Sequence, residues 1–272
     1  MFVDARIAAP TRAAAVIISR CLQNTFEPLL GAAIFVGIWA FAAIWFDITT
    51  FPGPVETLRE FIRLVGNGDL LFNAWTSAFR IILGFMVGCA IGVPIGFLMG
   101  ISTLSRQLLE PFTEFLRFVP AISMVFFSII WFGIGEVSKV FLIAFNTTFL
   151  VLISTEVGVR AVNRNALRAA AMLGASRSQQ FWRVVIPATV PYVVTGMRIA
   201  LGRSFTTIAA AEMVGASAGI GSLIFGARQF GRMDTVLVGI VTLAVMGVLF
   251  DALFRWLARR LGGEFASVLY SN

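Results

Sequence analysis

Long runs of apolar residues, separated by short charged segments, occupy most of the sequence. A helix of about 20 apolar residues crosses the hydrocarbon core of a bilayer, and the runs have this length. The period-two alternation typical of a membrane barrel does not occur in them. The pattern therefore predicts an all-α membrane protein with six transmembrane helices. The predicted spans are 28–46, 75–101, 111–132, 137–157, 191–214 and 235–257.

The segments outside these runs differ in character. Residues 1–27 carry three arginines around an apolar stretch too short to span, and are expected to form a cytoplasmic segment. Residues 47–74 place apolar side chains at helical spacing among charged ones, which predicts a short helix on the opposite, periplasmic side. A core of five spans occupies 75–257, and 258–272 is predicted to be a cytoplasmic tail.

Composition and charge agree with this topology. The chain is 58% hydrophobic and only 13% charged, whereas soluble domains are about 25% charged. With six spans, 13 basic residues fall on the side of the amino terminus and five on the other. Because cytoplasmic loops are enriched in Lys and Arg, both termini are predicted to be cytoplasmic. Topology thus explains the net charge of +7, and nucleic acid is not expected as a partner.

Missing residue types exclude several chemistries. The chain has no histidine, which rules out a Ser-His triad, an H-E-x-x-H zinc site and a histidine proton relay. Lys139 is the only lysine and belongs to no phosphate-loop motif, so any ATP that drives the protein is hydrolysed by another chain. Cys21 and Cys89 form no C-x-x-C pair, so no metal site and no cofactor are expected here.

The second predicted span contains a stripe of small residues. A small residue at every fourth position lets helix backbones approach closely. Tight static packing is one interpretation, and a smooth seam along which helices slide, with Pro94 weakening one turn, is the other. The sequence leaves both open. The stripe consists of Gly84, Gly88, Gly92, Gly96 and Gly100.

The connection 158–187 is long for a loop between spans, and it carries five arginines without an acidic residue. Asn165 is expected to cap a short helix that runs to Ala175, with Gly174 ending or kinking it. Alanines give this helix a flat face suited to a groove on another protein. The loop is therefore predicted to be a docking element.

The residues of this loop resemble a known family. The run ALRAAAMLGASRSQQFWRVVIPATVPYVVTGMRIALG is similar to the cytoplasmic EAA loop of permease subunits of ATP-binding-cassette importers, where E-A-A is followed after three residues by G and later by a proline. Arg168 stands where that loop has its glutamate, which implies a different pairing with the ATPase. The agreeing positions are Ala169, Ala170, Gly174, Ala175, Ser176, Pro187, Pro191 and Gly196.

The resemblance extends over roughly 51–261. Segments such as FPGPVETL, WFGIGEVSK and AAAEMVGASAGIGSLI are similar to the branch of this superfamily that imports nitrate, sulfonates, taurine and bicarbonate. It implies the type I importer permease fold, a multi-pass place in the bacterial inner membrane, and a non-catalytic role. The implied partners are a second permease copy, two cytoplasmic ATPase subunits that bind ATP and magnesium, and a periplasmic solute-binding protein.

Three ionisable residues, Arg198, Arg203 and Glu212, lie in the fifth predicted span. A charge at mid-membrane costs about 3 kcal/mol on insertion scales, so each should face a partner or a watery path. Arg203 and Glu212 lie on opposite sides of the helix and need separate partners. In a symmetric pair, two copies of Arg203 facing one cavity would favour an anion, with Asn146 as a further lining candidate. Alternatively, Arg203 forms a hydrogen bond to Thr206, Asn146 or backbone carbonyls.

Two other classes of protein remain as alternatives. A stand-alone secondary transporter coupled to an ion gradient needs acidic residues deep in several spans, and Glu212 is the chief candidate. This alternative does not explain the long loop 158–187. A membrane enzyme needs a cluster of polar residues in one cavity, for which the sequence offers no histidine and no matched acidic pair.

Overall fold

The computed structural model of the chain describes residues 30, 31, 33–45 and 51–267, with side chains as far as 260. Every regular element in this part of the chain is helical. A five-residue π-helical stretch, Phe181–Val185, joins two of the helices. The helices are α1 Ala33–Trp45, α2 Pro54–Gly66, α3 Asp69–Ile101, α4 Thr103–Leu116, α5 Ala121–Phe132, α6 Glu136–Arg160, α7 Arg164–Met172, α8 Arg177–Gln180, α9 Ile186–Met213, α10 Ile220–Gln229 and α11 Met233–Ser267.

Four helical segments are long and apolar enough to cross a membrane, and the bent pair α4 and α5 gives five if it counts as one span. The all-helical membrane fold is therefore confirmed, while the number six stays a prediction. Of the predicted first span, 28–46, the structure describes mainly α1, an apolar helix shorter than the long spans. The expectation for 1–27 lies outside the described residues. The long segments are Asp69–Ile101, Glu136–Arg160, Arg177–Met213 and Met233–Arg260.

The predicted span over 111–132 is divided between two helices. The chain bends by 102° between α4 and α5. Pro120 sits immediately before α5 in an extended conformation, and proline both lacks an amide hydrogen and disfavours helical geometry in the residue before it. Pro111, by contrast, is accommodated inside α4.

Three helices extend beyond the predicted spans, whose membrane boundaries stay a prediction. α3 begins at Asp69, ahead of the predicted start at 75, and α11 continues to Ser267, into the segment predicted as a tail. The helical segment that carries the fifth predicted span begins at Arg177, because α8, the π-helical stretch and α9 follow one another without a break. The second part of the predicted loop 158–187 is therefore continuous with this helical segment.

The stripe of five glycines lies against α6 over nearly the whole length of that helix. A Cβ atom on Gly92 would stand 2.7 Å from the carbonyl oxygen of Thr148, and one on Gly96 would stand 2.5 Å from that of Leu152. Separations this short leave room for hydrogen alone. The structure thus places the stripe in a close helix–helix contact in which Ile143, Thr147 and Val159 face the other three glycines.

α6 also packs closely on α9. A Cβ atom on Gly158 would meet Tyr192 at 2.6 Å, and Gly196 leaves no room for one beside Ser154. α3, α6 and α9 therefore form the centre of the bundle. α10 and α11 close one side of it through an apolar cluster that includes Ile208, Ile220 and Val238.

Candidate coupling and transport site

The short helix α7 begins and ends through local sequence signals. The N-cap is Asn163, whose side chain accepts a hydrogen bond from the amide of Asn165, so the predicted capping by Asn165 is wrong. Gly174 adopts a φ of +80°, the left-handed geometry that favours glycine. Its amide donates to the carbonyl of Ala171, and that of Ala175 donates to Ala170, both at 3.0 Å. This pair of bonds is the Schellman motif, and it ends the helix at Met172, short of the predicted Ala175.

No residue of α7 is buried. Arg168 and Ala169 are exposed, Ala170 is half-buried, and the large apolar side chains of Met172 and Leu173 are each 88% exposed. A cavity of about 400 Å³ lies between this end of α7 and the following helices, lined among others by Ala170, Gly174 and Ala175. Two apolar side chains so fully exposed on an uncovered helix are typical of a surface that another protein covers.

A rigid connection links this surface to the membrane. Ser176 and Gln179 form a capping box in which each side chain bonds the backbone amide of the other residue, so α8 starts in a fixed direction. Phe181 then stacks edge-on against Phe97 of α3, with ring centroids 5.8 Å apart. Pro187 follows in the first turn of α9, inside the helical run that continues from α8.

Arginines surround the exposed helix without acidic partners. In the part of the chain that the structure describes, no ion pair involves Arg164, Arg168, Arg177 or Arg183. No acidic residue occurs between Glu156 and Glu212. The surface around α7, with its exposed Met172 and Leu173, is therefore both apolar and strongly positive.

Glu212 lies in a buried network at the other end of the bundle. Its carboxylate accepts hydrogen bonds from Arg80 at 2.6 Å, from the Ser77 hydroxyl at 2.8 Å and from the Gly221 amide at 2.9 Å. The other side of the Arg80 guanidinium forms a two-point contact with Glu136, at 2.5 and 2.6 Å. The network connects α3, α6, α9 and α10, so Glu212 holds the fold together rather than lining a cavity.

Arg80 is the residue that the sequence analysis missed. The signal that could have identified it is the sign of its charge. A basic residue within one span and an acidic residue within another are expected to pair, because each charge is costly in the membrane alone. Arg198 has a different partner from Arg80, since it pairs with Asp251 of α11 at 2.6 Å. Arg203 and Glu212 do not pair with each other; Glu212 has a charged partner of its own, whereas the expected separate partner of Arg203 is not found among the described residues.

Arg203 is exposed on α9 and has no ion pair or side-chain hydrogen bond among the described residues. Its backbone carbonyl accepts from the hydroxyls of Thr206 and Thr207, at 2.8 and 3.1 Å. The alternative in which the guanidinium bonds Thr206 or Asn146 is therefore not what the structure contains. Asn146 instead donates to the Thr207 hydroxyl at 2.9 Å.

The exposed face of α9 is unusually polar for a membrane helix. Tyr192, Thr195, Ile199, Arg203 and Thr206 all lie exposed on it, and their three- and four-residue spacing places them in one stripe. Ile199 also borders a cavity of about 340 Å³ that Asn146 and Ser154 line from α6. The charge of Arg203 is unfavourable at a position that faces lipid. The stripe is suited to an aqueous path or to a second copy of the chain.

Known membrane transport proteins are similar to this chain in sequence and in fold. Residues 92–263 match the family described as "Binding-protein-dependent transport system inner membrane component". The chain belongs to this family, the permease subunits of ATP-binding-cassette importers. The expected resemblance is thereby confirmed, and so is a multi-pass membrane protein that works in transport.

Individual relatives cover most of the chain. A putative aliphatic sulfonates transport permease protein of Bacillus subtilis is 36% identical, over 86% of this chain and 85% of its own. The taurine transport system permease protein of Escherichia coli is 35% identical, over 80% and 84%. Among solved structures, an amino acid ABC transporter crystallised with histidines superposes with a TM-score of 0.62 at 18% identity, over 74% of this chain and 98% of that one. This last likeness shows the fold alone.

Proposed function

We propose that this chain is the transmembrane subunit of an ATP-dependent importer that brings a small oxyanion across the bacterial inner membrane. The uncovered helix α7 carries this proposal, because an importer subunit needs a surface on which an ATPase acts. The complex would contain two copies of this chain, two cytoplasmic ATPase subunits and a periplasmic solute-binding protein. Each copy would cross the membrane six times with both termini in the cytoplasm.

The coupling residues would act through shape rather than charge. Met172 and Leu173 present apolar tips, and Ala169 and Ala170 leave room for a close approach. ATP and magnesium would be held by the ATPase, and this chain would perform no catalysis. Closure of the ATPase pair would move α7, and the stiff connection into α9 would tilt the bundle between outward and inward openings.

The solute is proposed from the chemistry of α9. The two relatives named above transport aliphatic sulfonates and taurine by their names. Arg203, exposed and without an ion pair among the described residues, is suited to a sulfonate or another small oxyanion such as nitrate or bicarbonate. Asn146 would line the same path from α6. Arg198 and Glu212 are not part of it, because both already have charged partners.

Co-purification tests the coupling. The full-length chain would be expressed with its ATPase and compared with Met172→Glu/Leu173→Glu, a double change on side chains too exposed to affect folding. We expect the ATPase to co-purify with the wild type and to be lost from the variant. Ser178→Glu, an exposed change on the neighbouring helix α8, is the matched control and should retain it. Equal retention in all three proteins would contradict the proposal.

A gradient-driven carrier is the second candidate. It would need an acidic residue in the membrane that can bind and release an ion or a proton. Glu212, the chief candidate, is engaged by Arg80, Ser77 and the Gly221 amide, which speaks against this role. Solute uptake by proteoliposomes that contain only this chain and carry an ion gradient would favour it.

A further inference from the structure

A cleft of about 440 Å³ opens at the junction of four helix ends, where α3 and α6 end and α4 and α7 begin. This is the end of the bundle that carries the exposed surface around Met172 and Leu173. Three arginines line it, each from a different helix: Arg106 of α4, Arg160 of α6 and Arg164 of α7. Thr103, the first residue of α4, adds a hydroxyl group. No carboxylate is among the described residues that line it.

The charges of these arginines are poorly neutralised. Arg106 stands 3.8 Å from Glu110 and Arg160 stands 3.4 Å from Glu156. These are the longest arginine–carboxylate pairs of the described residues, since the others measure 2.5 to 3.1 Å. Arg164 has no ion pair in this part of the chain. Neighbouring guanidinium groups repel one another, so their convergence on one cleft favours an anion between them.

The positive electrostatic potential in the cleft comes from the arginines rather than from the helix ends. The positive ends of α4 and α7 meet the negative ends of α3 and α6, so the helix dipoles offset each other. Guanidinium groups bind phosphate and sulfonate oxygens through two parallel hydrogen bonds, which a chloride ion cannot match. Three arginines and a hydroxyl form a donor set suited to a tetrahedral oxyanion.

We expect the cleft to lie near the depth of lipid headgroups. α3 has 33 residues, about 50 Å at 1.5 Å per residue, so it extends past the roughly 30 Å hydrocarbon core. Its last residue, Ile101, is followed by the polar residues Ser102 and Thr103, as expected of a helix end near the membrane surface. Basic pockets between membrane helices at this level bind anionic headgroups.

We propose that Arg106, Arg160 and Arg164 form a binding site for a phosphate group, carried either by an anionic lipid or by a soluble phosphate. The site is separate from the proposed solute path along α9, and it borders the proposed docking helix, because Arg164 is the first residue of α7. An anion there would connect the start of α7 to the ends of α3 and α6. It would thereby stiffen the base of the coupling helix.

Thermal unfolding of the full-length chain in detergent tests the site. One arm adds phosphatidylglycerol, with phosphatidylcholine as the zwitterionic comparison. The other arm adds sodium phosphate, with sodium chloride at equal ionic strength. We expect the wild type to gain thermal stability in at least one arm. Arg106→Gln/Arg164→Gln should need about a hundredfold more ligand for the same gain, because two charge-assisted contacts are lost, each equivalent to about tenfold.

Two further variants separate a loss of anion binding from a loss of folding. Arg164→Gln alone changes an exposed residue without an ion pair in the described chain, so it should fold normally and still weaken binding. Arg177→Gln removes an exposed arginine of the same loop that does not line the cleft, and should behave as the wild type.

The outcomes separate the sources of the phosphate. A response to phosphatidylglycerol alone would identify a lipid headgroup, and a response to sodium phosphate would identify a soluble ion. Equal responses in the wild type, the Gln variants and the Arg177 control would overturn the proposal. The proposal would also be overturned if no anion stabilised the wild type and Arg106→Gln/Arg164→Gln no longer co-purified with the ATPase. The cleft would then be part of a protein interface.

Discussion

The guanidinium of Arg80 and the carboxylate of Glu212 lie 2.6 Å apart in the interior of the bundle, with side chains 2% and 0% exposed. The two residues are 132 positions apart in the sequence, so their contact depends entirely on how α3 and α9 pack. Every remaining polar atom of this pair has a partner. Among the described residues, no buried side-chain nitrogen or oxygen lacks a hydrogen bond.

Removing one member of this pair should be costly. We expect Arg80→Ala to destabilise the protein by about 3–5 kcal/mol, because it leaves the Glu212 charge buried and uncompensated. The measurement is thermal unfolding of the purified chain in detergent. Arg117→Ala is the matched control: its pair with Glu114 is equally short at 2.6 Å but largely exposed, so its loss should cost less than about 1 kcal/mol.

A second substitution tests whether the unpaired charge of Glu212 causes this loss of stability. Glu212→Gln in the Arg80→Ala background removes the stranded charge and should recover part of the lost stability. If the double variant were as unstable as the sum of the two single variants, the two charges would act independently. The network would then not be held together by their pairing.

The helices, including the short helix α7, were predictable because their signals are local. Apolar runs show where spans lie, and the Gly174 region carries its own stop signal. For the buried network the sequence offers only the opposite charges of Arg80 and Glu212, and nothing in the sequence around Arg80 shows which acidic residue of another helix it meets. The bend at Pro120 was missed for a related reason: a proline breaks one helix and is accommodated in another, as Pro111 shows, and the tertiary contacts decide which.

The glycine stripe on α3 predicts a position-specific effect of added methyl groups. Gly92→Ala would place a Cβ atom 2.7 Å from the Thr148 carbonyl oxygen, so we expect a loss of about 1–3 kcal/mol from overpacking. Gly226→Ala in α10 is the control, because nothing lies within 4 Å of its Cβ position. There the change should be neutral or stabilise by up to about 1 kcal/mol, from helix propensity alone. Similar unfolding temperatures for both variants would mean that α3 and α6 are not in fixed contact.

Arg168 provides a test of how the ATPase recognises α7. Its side chain is exposed and has no ion pair in the described chain, so Arg168→Glu should change the stability of this subunit by less than about 0.5 kcal/mol. If apolar packing dominates the contact, this variant should also retain the ATPase in co-purification. Complete loss of the ATPase would show instead that the partner presents an acidic group to Arg168.

Acid should weaken the attachment of α2 to the bundle. Glu60 is buried against α11, and the hydrogen bond from Arg63, helped by one from Thr235, holds the pKa of its carboxyl below the usual range. A carboxyl whose pKa is lowered by folding contributes stability above its unfolded pKa of about 4.3, and this contribution is lost as the pH falls through the folded value.

The variant Glu60→Gln isolates that effect. Its unfolding temperature should lie below that of the wild type at pH 7, and the gap should close as the pH falls below about 4. Glu56→Gln on the same helix controls for the loss of a charge, because Glu56 has no hydrogen bond or ion pair to α11 among the described residues. A gap of constant size from pH 7 to pH 3 would mean that shape, rather than ionisation, accounts for the role of Glu60.

Arg203 links the stripe on α9 to the proposed anion path. Its guanidinium is exposed and has no ion pair among the described residues, so Arg203→Ala should leave the unfolding temperature nearly unchanged. Uptake of a sulfonate by the reconstituted importer should fall about tenfold or more, the effect of losing one charge-assisted hydrogen bond. Arg203→Lys keeps the charge and should retain part of the rate. Wild-type uptake by a well-folded Arg203→Ala protein would remove this residue from the path and leave its exposure to be explained by contact with the second copy.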